Sequence, residues 1–324
     1  MSSFANPPAT NPPMIGVFDS GFGGLTVLRA LMHRLPQANF AFLGDTARLP
    51  YGSKSRRTIA RYAAESAQFL VREQGAEFLV IACNTASALA LDAIQEAVLG
   101  IPVLGVIEPG AEAARAASQT GDVLVIATDA TVRSRAYTAA CRAHGLRALE
   151  KACPLLVPLV EEGWGDAPNF NDTHAAQAAA APPQVAAPPQ VADAPQVADA
   201  PQVAYAPQVA VTAEVVRIYL DELIAESAAA GMHPDVLVLG CTHYPLLRPL
   251  IERIVPAGIR VIDSAEAAAE AAQQQFSLTA PSTSSTSSTQ LRCFATDSVE
   301  KFGRLGTRFL GQPVGEVQLI DLGG

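Results

Sequence analysis

The chain has 324 residues, 49% of them hydrophobic, which is long enough for two domains that each bury a core. No stretch reaches the ~18 uninterrupted apolar residues of a membrane span, and Met1 to Pro13 has neither the basic nor the apolar region of a secretion signal, so a cytoplasmic protein is expected. The net charge of -9, with lysine only at positions 54, 151 and 301, argues against general affinity for nucleic acid or anionic membranes; anionic small molecules stay open, because helix N-termini bind carboxylates through backbone N–H groups.

In chain order, a short apolar strand over Met14 to Phe18 runs into Asp19-Ser20-Gly21-Phe22-Gly23-Gly24 and an amphipathic helix from Leu25 to Leu35. This loop is not a dinucleotide fingerprint, whose third glycine would fall on Thr26. It reads as a tight turn that lets a ligand approach the backbone. A strand over Phe40 to Leu43 ends at Gly44-Asp45, and Pro50-Tyr51-Gly52 forms a loop before a helix that starts near Ser55 or Arg57. The run Phe78-Leu79-Val80-Ile81-Ala82 ends at Cys83-Asn84-Thr85, followed by a helix from Ser87 to Leu99, a strand from Val103 to Ile107 and a helix through Arg115. The strand Val123 to Ala127 leads into Thr128-Asp129-Ala130-Thr131 and another helix. A helix from Glu214 to Ala229, the strand Val236 to Gly240 and a short strand over Arg260 to Ile262 complete the series. This alternation predicts parallel sheets.

Two stretches interrupt it. From Pro183 the hexad Pro-Gln-Val-Ala-x-x recurs, starting again at Pro189, Pro195, Pro201 and Pro207, and proline at that spacing predicts an extended, mobile insertion over about 166–211. Ser282 to Thr289 is purely Ser and Thr and predicts a disordered loop, about 278–290.

The thiols carry the chemistry. Five cysteines without regular close spacing predict reduced thiols, and no C-x-x-C pair suggests zinc. Free cysteine is commonly a small buried apolar residue, which suits Cys141, Cys153 and Cys293. Cys83 and Cys241 differ, since each ends a buried-strand pattern, where α/β proteins place ligands, and each has a Thr within two positions. A thiolate there is both a nucleophile and a base, and two such thiols could face one substrate from opposite sides. Asp19 can orient an ammonium group or a thiol, His243 can assist Cys241, and Glu161 or Glu162 is a plausible carboxylate partner for His243.

With these segments placed, the chain closely resembles the cofactor-independent glutamate racemases of bacteria. The matching segments are Ile15-Gly-Val-Phe-Asp-Ser-Gly-Phe-Gly-Gly24, Gly44-Asp-Thr-Ala-Arg-Leu-Pro-Tyr-Gly52, Ala82-Cys-Asn-Thr-Ala86, Cys153-Pro-Leu-Leu-Val-Pro-Leu-Val-Glu-Glu-Gly-Trp164 and Leu239-Gly-Cys-Thr-His-Tyr-Pro-Leu-Leu247. The resemblance runs from about Met14 to the C-terminus, omitting the N-terminal tail, the repeats and the Ser/Thr tract. It implies an α/β fold of two doubly wound parallel-sheet domains in pseudo-twofold relation, about 14–107 with 264–324 and about 108–263, with the active site in the cleft between them.

It also implies interconversion of L- and D-glutamate for peptidoglycan synthesis, with Cys83 acting on D-glutamate and Cys241 on L-glutamate, supported by Asp19 and His243 respectively. Substrate contacts carry over to Asp19, Ser20, Tyr51, Gly52, Asn84, Thr85, Thr242 and His243. Thr128 and Thr131 match a carboxylate-binding turn, and Glu161 or Glu162 matches an auxiliary acid. No cofactor or metal is implied, and a homodimer is. The alternatives are an aspartate or other amino-acid racemase of the same superfamily, or an interaction protein that has lost catalysis and works through the repeats; since some family members bind DNA gyrase, a gyrase-binding side role stays open.

Overall fold

The computed structural model describes residues 12–164, 207–279 and 289–323, the side chains of 277–279 excepted. Residues 1–11, in the N-terminal tail, residues 165–206, which hold the first four repeats, and residues 280–288, which hold all of the Ser/Thr tract but Thr289, lie outside the described residues. The first half runs β1 (Met14–Asp19), α1 (Leu25–Arg34), β2 (Asn39–Gly44), α2 (Arg56–Arg72), β3 (Phe78–Ile81), α3 (Asn84–Leu89), α4 (Leu91–Ala97), β4 (Val103–Gly105) and α5 (Ile107–Ala117). Next come β5 (Asp122–Ala127), α6 (Asp129–Ser134), α7 (Ala136–Ala143), β6 (Arg147–Ala152), α8 (Leu156–Glu161), α9 (Pro207–Ala229), β7 (Val236–Gly240), α10 (Arg248–Ile254) and β8 (Arg260–Asp263). The chain closes with α11 (Ser264–Thr279), β9 (Leu291–Ala295), α12 (Val299–Leu310) and β10 (Val317–Leu319).

The strands form two sheets, ordered β10-β9-β2-β1-β3-β4 and β6-β5-β7-β8, and every pairing is parallel. Taken as first to fourth strands, β1 to β4 and β5 to β8 share one order: second, first, third, fourth. The first sheet differs only in the addition of β9 and β10 beside β2. In such an order the chain winds to opposite sides of its first strand, and a crevice opens beyond the carboxyl ends of the first and third strands. Cys83 follows the third strand of one set and Cys241 the third of the other. The two sheets do not have isolated interiors: Ile15, Val17 and Phe40 belong to the same apolar cluster as Leu124, Ile126, Leu237 and Leu239. The alanine face of α11, with Ala265, Ala268, Ala269 and Ala272, joins that cluster. No helix among the described residues is long and apolar enough to cross a membrane.

Several elements depart from the sequence expectation. α3 starts at Asn84 rather than Ser87, because Cys83 occupies the N-cap and its sulfur accepts from the Ala86 amide at 3.4 Å. The strand expected to reach Ile107 stops at Gly105, and Ile107 opens α5. α9 begins at Pro207, not Glu214, so residues 207–211 are helical and the expected insertion does not extend over them. Proline is tolerated in a first turn, where its missing N–H has no helical partner, and Val209 and Thr212 are buried. β6, whose Arg-Ala-Leu-Glu-Lys-Ala sequence carries no apolar run, was not expected; it pairs only with β5, and an edge position tolerates its charges.

Candidate active site

One cavity of about 690 Å³ lies where the carboxyl ends of the two sheets face each other, and Cys83 and Cys241 both line it. Each thiol is 5% exposed. Register explains Cys83: Phe18 pairs with Ile81 and the Ala82 amide donates to the Phe18 carbonyl at 2.8 Å, so Ala82 stands opposite Asp19 and Cys83 emerges beside Ser20. The Ser20 hydroxyl lies 3.3 Å from the Cys83 sulfur. On the other sheet, Ala127 pairs with Gly240, so Cys241 emerges beside Thr128.

Ser20, Tyr51, Gly52, Asn84 and Thr85 line the cavity from the first sheet, and Thr128, Glu161, Glu162, Thr242 and His243 line it from the second. Asp19 and Thr131 stand behind this wall, fully or almost fully buried. Asp19 Oδ2 accepts from the Gly21 amide at 2.8 Å, while Oδ1 has no hydrogen-bond partner among the described residues. Burial raises the Asp19 carboxyl, against the lowering effect of His243. Asn84 Oδ1 accepts from the Tyr137 hydroxyl at 2.8 Å, which leaves the amide nitrogen as a buried donor without a partner among the described residues. The hydroxyls of Thr85, Thr128 and Thr131 form a triangle with edges of 3.1, 3.4 and 2.9 Å that ties the loop after β3 to the loop after β5.

Tyr51 is held from behind. Its hydroxyl donates to Asp45 Oδ2 at 2.5 Å, and Asp45 also accepts from Arg48 Nε and from the Thr296 hydroxyl. Burial and then the Asp45 carboxylate keep the phenol protonated. While that bond stands, the Tyr51 hydroxyl cannot also donate to a ligand, though its oxygen can still accept.

The two thiols have different neighbours. Burial, followed by the Asp19 carboxylate, pushes the Cys83 thiol up to about 11, against hydrogen bonds from Ser20 and the Ala86 amide. Burial pushes the Cys241 thiol up as well. His243 Nδ1 lies 4.0 Å from the Cys241 sulfur and 3.5 Å from the Thr242 hydroxyl, and its Nε2 lies 3.3 Å from Glu161 Oε1. The carboxylate that reaches His243 is that of Glu161, not Glu162. Burial acts to raise Glu161, but His243 and then Lys301, 3.0 Å away, outweigh it and bring the carboxyl down to about 2.

Sequence reasoning overlooked several residues here. Cys153, expected only as core, is fully buried yet also lines the cavity. Ala127 pairs with both Ala152 and Gly240, so Cys153 and Cys241 lie two strands apart, roughly 10 Å at ~4.8 Å per strand, too far for a disulfide. Lys301 and Phe309 act on Glu161 and His243 from α12, with no local signal in their own segment to announce it. Among the described residues, no group of three or more His, Cys, Asp or Glu side chains could hold a metal ion.

The model of the Asp/Glu/Hydantoin racemase family matches residues 25–181. A glutamate racemase of Koribacter versatilis is 45% identical to the chain, covering 96% of it and 98% of the relative. The chain belongs to the glutamate racemase family. Two solved glutamate racemases share its architecture over nearly the whole length. That of Francisella tularensis, in complex with D-glutamate, is 30% identical with a TM-score of 0.75, covering 96% of this chain and 98% of its own. That of Thermus thermophilus, in complex with β-chloro-D-alanine, is 36% identical with a TM-score of 0.71, covering 96% and 98%. Like the other glutamate racemases, the chain is an isomerase built from two parallel-sheet α/β halves.

Proposed function

We propose that this chain interconverts L- and D-glutamate by moving the Cα proton between two thiols, Cys241 acting on L-glutamate and Cys83 on D-glutamate. The observation that carries the reading is that two strand-end thiols, one from each sheet, line a single cavity. One thiolate removes the proton from one face, and the other thiol protonates the carbanion on the opposite face. The chemistry uses side chains alone and needs no cofactor. Its product would supply D-glutamate for peptidoglycan, and the cytoplasm, where unpaired thiols stay reduced, suits the five free cysteines.

Burial holds both thiols protonated. A substrate ammonium placed beside Asp19 and Cys83 brings a positive charge that favours thiolate, so the base is generated on binding. The unpartnered Asn84 amide and the hydroxyls of Thr85 and Thr128 can donate to a carboxylate, and Ser20, Gly52 and Thr242 complete the wall around the substrate. General acid–base transfer supplies about 10²- to 10⁴-fold, and the rest is assigned to positioning and to donors that stabilise the carbanion. We assign about 14–107 with 264–324 to one domain and about 108–263 to the other, so each contributes one thiol.

The test is deuterium incorporation at Cα in heavy water with L-glutamate, D-glutamate and L-aspartate. Rapid exchange with both glutamate enantiomers supports the reading; faster exchange with aspartate would move the chain to that substrate. Cys83→Ser should impair exchange from D-glutamate selectively and Cys241→Ser from L-glutamate, and full racemisation by either variant would sink the two-thiol mechanism.

A further inference from the structure

α12 approaches the Cys241 side of the cavity with three side chains on one face. Lys301 Nζ lies 3.0 Å from Glu161 Oε2 and 5.3 Å from the centre of the Phe22 ring, so its ammonium is bracketed between a carboxylate and an aromatic face. Arg308 Nη1 donates to the Val160 carbonyl at 2.6 Å, at the last turn of α8. Phe309 sets its ring edge-to-face against His243, 5.1 Å between centroids. Positions 301, 308 and 309 recur at the seven- and eight-residue spacing of one helix face. Phe302, seven residues before Phe309, lies on the adjoining buried stripe and packs against Phe22 and Phe42, so α12 is fixed to the first sheet while it grips α8 and His243 of the second.

The contacts are one-sided. A chain of polar groups runs from Lys301 through Glu161 and His243 toward Cys241. Cys83 is bonded instead by Ser20, in the loop after β1, and by the Ala86 amide in the first turn of α3. Glu161 uses one carboxylate oxygen for each partner, so the Lys301 bond fixes the rotation that presents Oε1 to His243.

We propose that Lys301 is a positioning residue for one half of the reaction: by holding Glu161 against His243 it favours the proton transfer at Cys241 over the transfer at Cys83. The proposal rests on the two-thiol reading above. Because Lys301 is partly exposed, the coupling is modest, and its loss should lower turnover by about twofold to fivefold.

The equilibrium between enantiomers forces equal kcat/KM in both directions whatever the variant, so the test must resolve the two steps. Lys301→Met and Lys301→Arg are compared with the parent enzyme using glutamate deuterated at Cα. In Lys301→Met, turnover falls, the isotope effect on kcat/KM rises from L-glutamate, whose proton Cys241 removes, and it falls from D-glutamate, where reprotonation by Cys241 becomes limiting. Lys301→Arg restores both values. Unchanged turnover, or isotope effects that move the same way from both enantiomers, overturns the proposal. A parent enzyme that does not racemise glutamate would instead reject the functional reading itself.

Discussion

Gly23 lies so close to His243 that a methyl group on its α-carbon would come within 2.5 Å of the imidazole Nδ1, and within 2.2 Å of the Thr242 hydroxyl. The loop after β1 therefore forms part of the seat of the histidine on the opposite sheet. Gly23→Ala should displace His243 and lower kcat by about 10²-fold, the typical consequence of an ångström-scale misplacement. Steady-state kinetics beside a thermal melt check this; wild-type kinetics in the variant would show that the loop yields without moving the imidazole.

Asp19→Asn should separate two consequences of one carboxylate. Its negative charge is the second contribution, after burial, that raises the Cys83 thiol to about 11. Removing that charge lowers the thiol, so alkylation of Cys83 at mildly alkaline pH becomes faster, while racemisation slows for want of a partner for the ammonium. Peptide mass analysis of iodoacetamide-treated protein across pH measures the midpoint, and a midpoint that does not fall contradicts the assignment.

Glu161 links the site to acid stability. Its carboxyl is near 2 in the folded chain against 4.5 for an unperturbed group, so its contribution is complete above about pH 4.5 and is lost as pH falls toward 2. The size is on the order of 3 kcal/mol. Glu161→Gln should flatten that part of the acid limb in urea titrations and leave the neutral-to-alkaline limb unchanged; an unaltered acid limb would count against the His243 and Lys301 pairings.

The repeats offer a deletion with a sharp boundary. The Thr212 hydroxyl donates to the Trp164 carbonyl at 2.9 Å, so the chain ends on either side of residues 165–206 are held close together. Replacing 165–206 by a short Gly/Ser linker should leave kcat within about twofold, since loop length alters closure entropy only slowly. Extending the deletion to 211 removes the buried Val209 and should cost about 1.5–3 kcal/mol. A partner captured by the intact chain and lost with unchanged kinetics after the shorter deletion would make the repeats a docking segment.

The runs ending at Cys83 and Cys241 were legible because a buried parallel strand is apolar without interruption, and the thiol stands within two residues of its end. Placing them on one cavity took the resemblance, since the residues alone could not say how two sheets dock. Glu161 and Glu162 are neighbours in sequence with the same chemistry, and only the turn of α8 decides which carboxylate meets His243. Nothing in the segment around Lys301 ties it to the strand-end motifs; it reaches the site through tertiary packing, 140 positions from Glu161. β6 escaped notice because an edge strand needs no continuous apolar run.

Both thiols are almost completely shielded from water. Under the two-thiol reading, a turnover in one direction leaves the abstracting sulfur carrying the substrate's proton and the delivering sulfur bare. The enzyme that releases D-glutamate is thus the enzyme prepared to accept D-glutamate, and it must exchange protons through a nearly closed wall before it can take L-glutamate again. The shielding gives the site a short-lived memory of its last product.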